Sequence, residues 1–166
     1  MKNKSLLPKN AKKVFKGKIF DVYQWDQKMF DNSIEVFEKI KRTNTAVVIP
    51  IAGGKILIQE QEQPHRKYKF LSLPGGRCEK NEKPLFAAKR EMLEETGYVS
   101  NDWELWKTIN PLEKILWKVY IYIARNCEKV SGQKLDSGEK MNIRCTFSAF
   151  ARKYKRASSF VFLSLS

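Results

Sequence analysis

An α/β domain, with a mixed sheet between helices and an antiparallel hairpin ahead of it, is the fold the sequence predicts, and three observations carry that expectation. Residues 83–96 form a helix-length segment bounded by Pro84 and Gly97, residues that suit a first helical position and a left-handed stop. Stretches of alternating or β-branched residues lie on both sides of it. A chain of 166 residues, 42% hydrophobic and 30% charged, has room for one proper core, and a second catalytic domain does not fit.

Taken in order, residues 1–15 read as a basic arm. Lys16 to Gln27 (KGKIFDVYQWDQ) and Ser33 to Lys41 (SIEVFEKIK) alternate well enough to be two strands turning near Asp31 and Asn32, so 16–43 is expected to be the antiparallel leader. The core, 44–150, opens with Thr45 to Ala52 and Lys55 to Gln61 around Gly53-Gly54, a pair that supplies the positive φ of a tight hairpin. A strand at Phe70 to Leu73 feeds Gly75 and Gly76, and the helix follows. After it come strands at Glu104 to Ile109 and Leu116 to Ala124 (LWKVYIYIA), a loop, a short strand near Asn142 to Thr146 and a basic helix from about Ser148 to Arg156. Residues 151–166 thus hold basic helix and apolar tail, the last seven (FVFLSLS) being strand-like.

Within the helix, at about 100° per residue, Glu91, Glu94 and Glu95 share one arc, with Ala87 a turn earlier on the same face. Leu85, Phe86, Met92 and Leu93 are expected on the apolar side. Like charges so spaced destabilise a bare helix by roughly 0.2–0.5 kcal/mol per pair, which calls for compensating cations. Arg90 and Lys89 would serve on a solvated acidic face; Mg²⁺ or Mn²⁺ would serve if the carboxylates are ligands, since hard oxygen donors suit these ions.

The rest of the segment decides between these readings. Gly76, Glu82, Arg90, Glu91, Met92, Glu94, Glu95 and Gly97 occur at set spacing, with Tyr98 last. In that order they resemble the Nudix hydrolase signature: a glycine, five residues, Glu, seven residues, Arg-Glu, an aliphatic, any residue, Glu-Glu, any residue, Gly and an apolar residue. Only Tyr98 departs, standing in a usually aliphatic place. The resemblance implies an α/β/α sandwich that hydrolyses a diphosphate linkage with Mg²⁺ or Mn²⁺. It implies Glu91, Glu94 and Glu95 as metal ligands, joined by a backbone carbonyl of the Gly75-Gly76 loop, and Arg90 as their orienter. For Glu82 two roles stand open, a metal ligand or a cap at the helix start paired with Arg90.

The leader, the Leu-Pro-Gly-Gly before the helix and a late acidic loop look like the ADP-ribose pyrophosphatase branch, which forms AMP and ribose 5-phosphate. That likeness implies a general base in Leu135 to Ile143 (LDSGEKMNI), with Glu139 first, Asp136 in reserve, and Ser137-Gly138 letting the loop close. Gln63 and Ser72 stand where the branch often has an arginine and a glutamate, so Arg66, His65 or Lys67 would supply charge for the diphosphate. Pro111 corresponds to a later proline of the branch, somewhat nearer than expected. Tyr23, Trp25 or Phe30 would stack on the base if the leader crosses to a partner in a homodimer. Two other readings remain: hydrolysis of nucleoside triphosphates or RNA 5′ ends, and a non-catalytic nucleotide-sensing or RNA-binding module. The intact glutamate set argues against the second.

The net charge of +14 looks like a nucleic-acid signal until it is apportioned. Residues 1–18 hold seven lysines and no acid, and 151–166 hold Arg152, Lys153, Lys155 and Arg156 and no acid, leaving about +3 on residues 19–150. Solvated ends are the expectation, with RNA contact the other use. No apolar run nears the ~18 residues of a membrane span, and no secretion signal is seen, so a cytoplasmic protein is expected. Cys78, Cys127 and Cys145 have no CxxC spacing and one histidine cannot complete a zinc set; they are expected to be reduced bystanders.

Overall fold

The structure, a computed structural model, describes residues 7–138 and 140–146. Among them the elements run β1 (Lys12–Lys16), β2 (Phe20–Lys28), β3 (Ile34–Arg42), β4 (Thr45–Ala52), β5 (Lys55–Glu62), β6 (Phe70–Ser72), β7 (Gly75–Arg77), α1 (Pro84–Thr96), β8 (Tyr98–Val99), β9 (Asp102–Ile109), β10 (Ile115–Leu116), β11 (Val119–Arg125), β12 (Glu128–Lys129) and β13 (Lys140–Thr146). They fall into two compact units.

The leader unit holds the described residues up to Asn44 together with Ile109–Val119. Its sheet runs β1-β2-β3-β10, antiparallel except for β10, which lies parallel to β3. The expected turn is present: Asn32 takes φ 71°, and the Ser33 N–H and hydroxyl donate to Asp31 Oδ1 at 3.0 and 2.7 Å. The expected strand from Lys16 to Gln27 is instead broken at Gly17, whose N–H donates to Phe20 O at 2.8 Å. β1 therefore comes out of the stretch read as a solvated arm. It is held by the pairing of Phe15 with Val22 and by Lys13 on Asp21 at 2.6 Å.

The second unit holds Thr45–Thr108 and the described residues from Tyr120 onward. Its main sheet runs β13-β5-β4-β11-β9. Gly53 and Gly54, at φ 54° and 72°, close the β4–β5 hairpin as expected. The two strands pair only at Ile51↔Ile56 and Ala52↔Lys55 and then part. Beyond that point β4 takes β7 as its partner and β5 takes β6, so residues 70–77 fill the gap between them. The Val48 N–H, for instance, donates to Pro74 O at 2.8 Å. This insertion carries Gly75 and Gly76 into the interior.

α1 packs on β4 and β7, and Ala46, Val48, Cys78, Ala87, Ala88, Met92, Tyr122, Ala124 and Cys127 form the core beneath it. The expected apolar side of the helix needs correction: Phe86 is 58% and Leu93 37% exposed, while Ala87, Ala88 and Met92 are buried. The small alanines let the helix lie close to the strands, and the larger Phe86 and Leu93 fall on the opposite arc. The run read as one strand from Leu116 to Ala124 is also two, β10 and β11, in different sheets. The break falls at Trp117-Lys118, where the Lys118 N–H donates to the Asn44 side chain at 3.0 Å and Trp117 stacks on the Arg42 guanidinium at 4.3 Å.

The three cysteines are free, Cys78 and Cys127 buried and Cys145 exposed. No helix among the described residues is long and apolar enough to cross a membrane. The basic helix expected over 148–156 and the apolar tail lie outside the described residues.

Candidate active site

α1 is placed by its two ends. Pro84 occupies its first turn behind Lys83, whose backbone is extended, and Gly97, at φ 74°, ends it with its N–H on Leu93 O at 2.8 Å. A Cβ at Gly97 would also collide with Ser131 O, so position 97 requires glycine for both conformation and space. The loop after β12 closes on the same end. The N–H groups of Val130 and Ser131 donate to Gly97 O, that of Lys134 to Glu94 O at 2.7 Å, and the Gln133 side-chain amide to Glu95 O at 2.6 Å.

The helix face that turns inward is the acidic one. Glu95 is 4% exposed and its Oε2 accepts from the Gly75 N–H at 2.8 Å and from Gln59 Nε2 at 2.9 Å. Gln59, itself fully buried, accepts on Oε1 from Gln61 Nε2 at 2.9 Å and Ser72 Oγ at 3.1 Å. A carboxylate this buried needs such donors. Glu91 lies against the glycine loop so closely that a Cβ on Gly76 would collide with its carboxylate, while one on Gly75 would meet Ala46 O. The loop's glycines are thus what admit the acidic helix face.

Arg90 gathers the remaining acids. Its Nε and one terminal nitrogen grip the two oxygens of Glu82 at 3.0 and 3.1 Å, and the other terminal nitrogen bridges Glu91 at 2.9 Å and Glu94 at 3.1 Å. It also donates to Arg77 O at 3.2 Å. Glu82 accepts the Glu79 N–H at 2.8 Å as well. The Arg90 bond, above all, holds the Glu82 carboxyl below its ordinary range, and the same bond raises the guanidinium further. Of the two roles open to Glu82, the cap paired with Arg90 is the one these contacts describe.

A cavity of about 390 Å³ opens over this face, lined by Gly75, Gly76, Arg77, Glu79, Arg90, Glu91, Glu94, Glu95, Lys134 and Asp136. As the side chains stand, no three His, Cys, Asp or Glu among the described residues are grouped closely enough to chelate one ion, for Arg90 draws Glu91 and Glu94 to itself. The donors nevertheless fit a hard divalent cation, being carboxylates beside the backbone of a glycine loop. Glu94, 42% exposed, is the one with most freedom to turn.

Of the residues singled out in the sequence, the structure brings together Gly75, Gly76, Arg90, Glu91, Glu94, Glu95 and Asp136. Glu139 lies outside the described residues. Gln63 and Arg66 belong to the β5–β6 loop and do not line this cavity; Arg66 N–H donates to Gln63 O and its guanidinium lies 4.3 Å from the Phe70 ring. His65 and Lys67 are exposed on the same loop. Trp25 and Phe30 are in the leader unit, Trp25 buried against Phe37 at 6.1 Å and Phe30 fully exposed at the hairpin turn. Sequence reasoning missed Gln59 and Gln61, although Leu57, Gln59 and Gln61 alternate along one strand face, and it named Ser72 only as a departure from the branch, without its bond to Gln59. It also missed Gln133 and Lys134, which carry no local signal.

A family model described as NUDIX domain matches residues 41–164. The chain is similar to the ADP-ribose pyrophosphatase of Bacillus subtilis (strain 168), with 32% identity over 100 residues, 58% of this chain and 54% of that protein. It is similar also to the methanol dehydrogenase activator of Bacillus methanolicus, with 25% identity over 124 residues, 72% of this chain and 65% of that one. The matched stretches thus span between about half and two thirds of these curated relatives. A solved structure titled as an ADP compounds hydrolase superposes with a TM-score of 0.73 at 20% identity, covering 94% of this chain and 90% of its own, a likeness of fold.

Proposed function

Because the chain belongs to the NUDIX domain family and has its α/β fold, we propose that it is a metal-dependent pyrophosphohydrolase that splits ADP-ribose into AMP and ribose 5-phosphate. The observation that carries the reading is the meeting of Glu91, Glu94 and Glu95 with the Gly75-Gly76 loop in one cavity. The substrate is supported by the 32% identity to a protein named ADP-ribose pyrophosphatase.

Glu91, Glu94 and Glu95, with the Gly76 carbonyl, would hold Mg²⁺ or Mn²⁺, which supplies neutralisation of the diphosphate charge and activation of water. The residues of the chain then have separable tasks. Gln59 and the Gly75 N–H fix the Glu95 carboxylate, so its second oxygen has a defined direction. Arg90 keeps Glu91 and Glu94 beside one another before metal and substrate arrive, and the two carboxylates would turn from it to take the ion. Glu139 is the proposed base, taking a proton from the attacking water, with Asp136 of the cavity rim second. Water adds to one phosphorus, the bond from that phosphorus to the bridging oxygen breaks, and the departing phosphate takes up the charge. The proposed setting is a cytoplasmic enzyme.

The test is incubation of the purified protein with Mg²⁺ or Mn²⁺ and a panel of nucleoside diphosphate sugars, dinucleotides, nucleoside triphosphates and capped RNA, with products identified. AMP and ribose 5-phosphate from ADP-ribose are expected, and Glu139→Gln should lower turnover roughly 10²–10⁴-fold while metal binding is kept. Turnover of triphosphates or RNA in preference would replace the substrate, and no turnover of any member would overturn the enzyme reading.

A further inference from the structure

We infer that Lys134 binds the diphosphate of the substrate, supplying the charge that Arg90 is not free to give; the inference rests on the pyrophosphohydrolase reading. An anion of this kind must enter a cavity bordered by Glu79, Glu91, Glu94, Glu95 and Asp136. The cations bordering it are Arg77, Arg90 and Lys134. Arg90 is spent on Glu82, Glu91 and Glu94. Lys134 and Arg77 both border the cavity, are exposed and enter none of the ion pairs among the described residues, but only Lys134 has its backbone N–H on the carbonyl of one of the acids. An ammonium so placed is a compact point charge that a nonbridging phosphate oxygen can accept from.

What makes this more than a surface lysine is how its backbone is held. The Lys134 N–H sits on Glu94 O at 2.7 Å, and its neighbour Gln133 reaches Glu95 O at 2.6 Å. Val130 and Ser131 anchor the start of the same loop on Gly97 O. The backbone of Lys134 is therefore tied to the carbonyl of Glu94, and its neighbour to that of Glu95, two of the four glutamates that border the cavity. The helix brings no basic residue in its own last turn. The loop delivers one there, where the negative end of the helix dipole favours a cation. Arg66, His65 and Lys67, the residues expected to serve the diphosphate, do not line this cavity.

The experiment compares wild type with Lys134→Met, Lys134→Gln and Lys134→Arg in two measurements. Steady-state kinetics on ADP-ribose with Mg²⁺ should show KM raised roughly 10- to 100-fold in the Met and Gln variants. Their kcat should stay within about threefold and the Arg variant should recover most of the loss. Calorimetric binding of α,β-methylene-ADP, which needs no turnover, should weaken by a similar factor, with a salt dependence shallower by about one charge. Wild type that binds this probe but hydrolyses nothing would overturn the proposed function and leave Lys134 standing. Variants that melt like wild type yet bind the probe equally well would overturn Lys134 alone, as would a loss confined to kcat. Wild type that hydrolyses ADP-ribose but binds no probe would overturn Lys134 alone, and wild type that does neither would overturn both.

Discussion

Glu82 and Arg90 meet in a two-pronged contact of 3.0 and 3.1 Å, and the pair sets how the site responds to acid. The Glu82 carboxyl titrates below the 4.5 of a free glutamate, chiefly because Arg90 donates to it. A depressed folded value means that its stabilisation is complete above the unfolded value and is lost as pH falls through the folded one. Glu82→Gln is therefore expected to cost roughly 1–3 kcal/mol at neutral pH. The gap from wild type should close as the medium is taken below about pH 4.5. Thermal unfolding of both proteins at neutral pH and near pH 3 checks this, and a gap independent of pH would assign Glu82 a packing role instead.

At the scale of elements, α1 turns its alanines and acids inward and leaves Phe86 and Leu93 outside. Ala88→Leu should then overpack the core at a cost of roughly 1–3 kcal/mol, whereas Phe86→Lys should change stability by no more than about 0.5 kcal/mol. Urea unfolding of the two variants decides it, and the reverse ranking would restore the face expected from hydrophobicity. The helix limits were legible because Pro84 and Gly97 act locally, and the β4–β5 hairpin because two glycines with positive φ mark it. The break at Trp117-Lys118 was not, since it depends on Asn44 and Arg42 far along the chain. In the site, the spacing of Glu91, Glu94 and Glu95 was readable from helix geometry. The loop that brings Gln133 and Lys134 to the helix end was not, because only long-range backbone bonds define it.

At the scale of the molecule, the leader and the core are separate compact units. Along the sequence, most of the net charge belongs to the two ends. We propose that the protein is a homodimer joined through the leader, where Ile34 and Val36 lie exposed on one face of β3 and Phe30 stands at the hairpin turn. Light scattering should give twice the chain mass, and Ile34→Glu with Val36→Glu should give the monomer; a monomeric wild type would end that proposal. In the core, the hydrogen bonds from Ser72 and Gln61 through Gln59 to Glu95 run in one direction, every hydrogen pointing toward the helix. A line of donors ordered in this way can finish only on a lone pair. A glutamine at position 95 would have to turn its oxygen inward and show its NH₂ to the cavity, so the strands beneath dictate which chemical face the helix presents above.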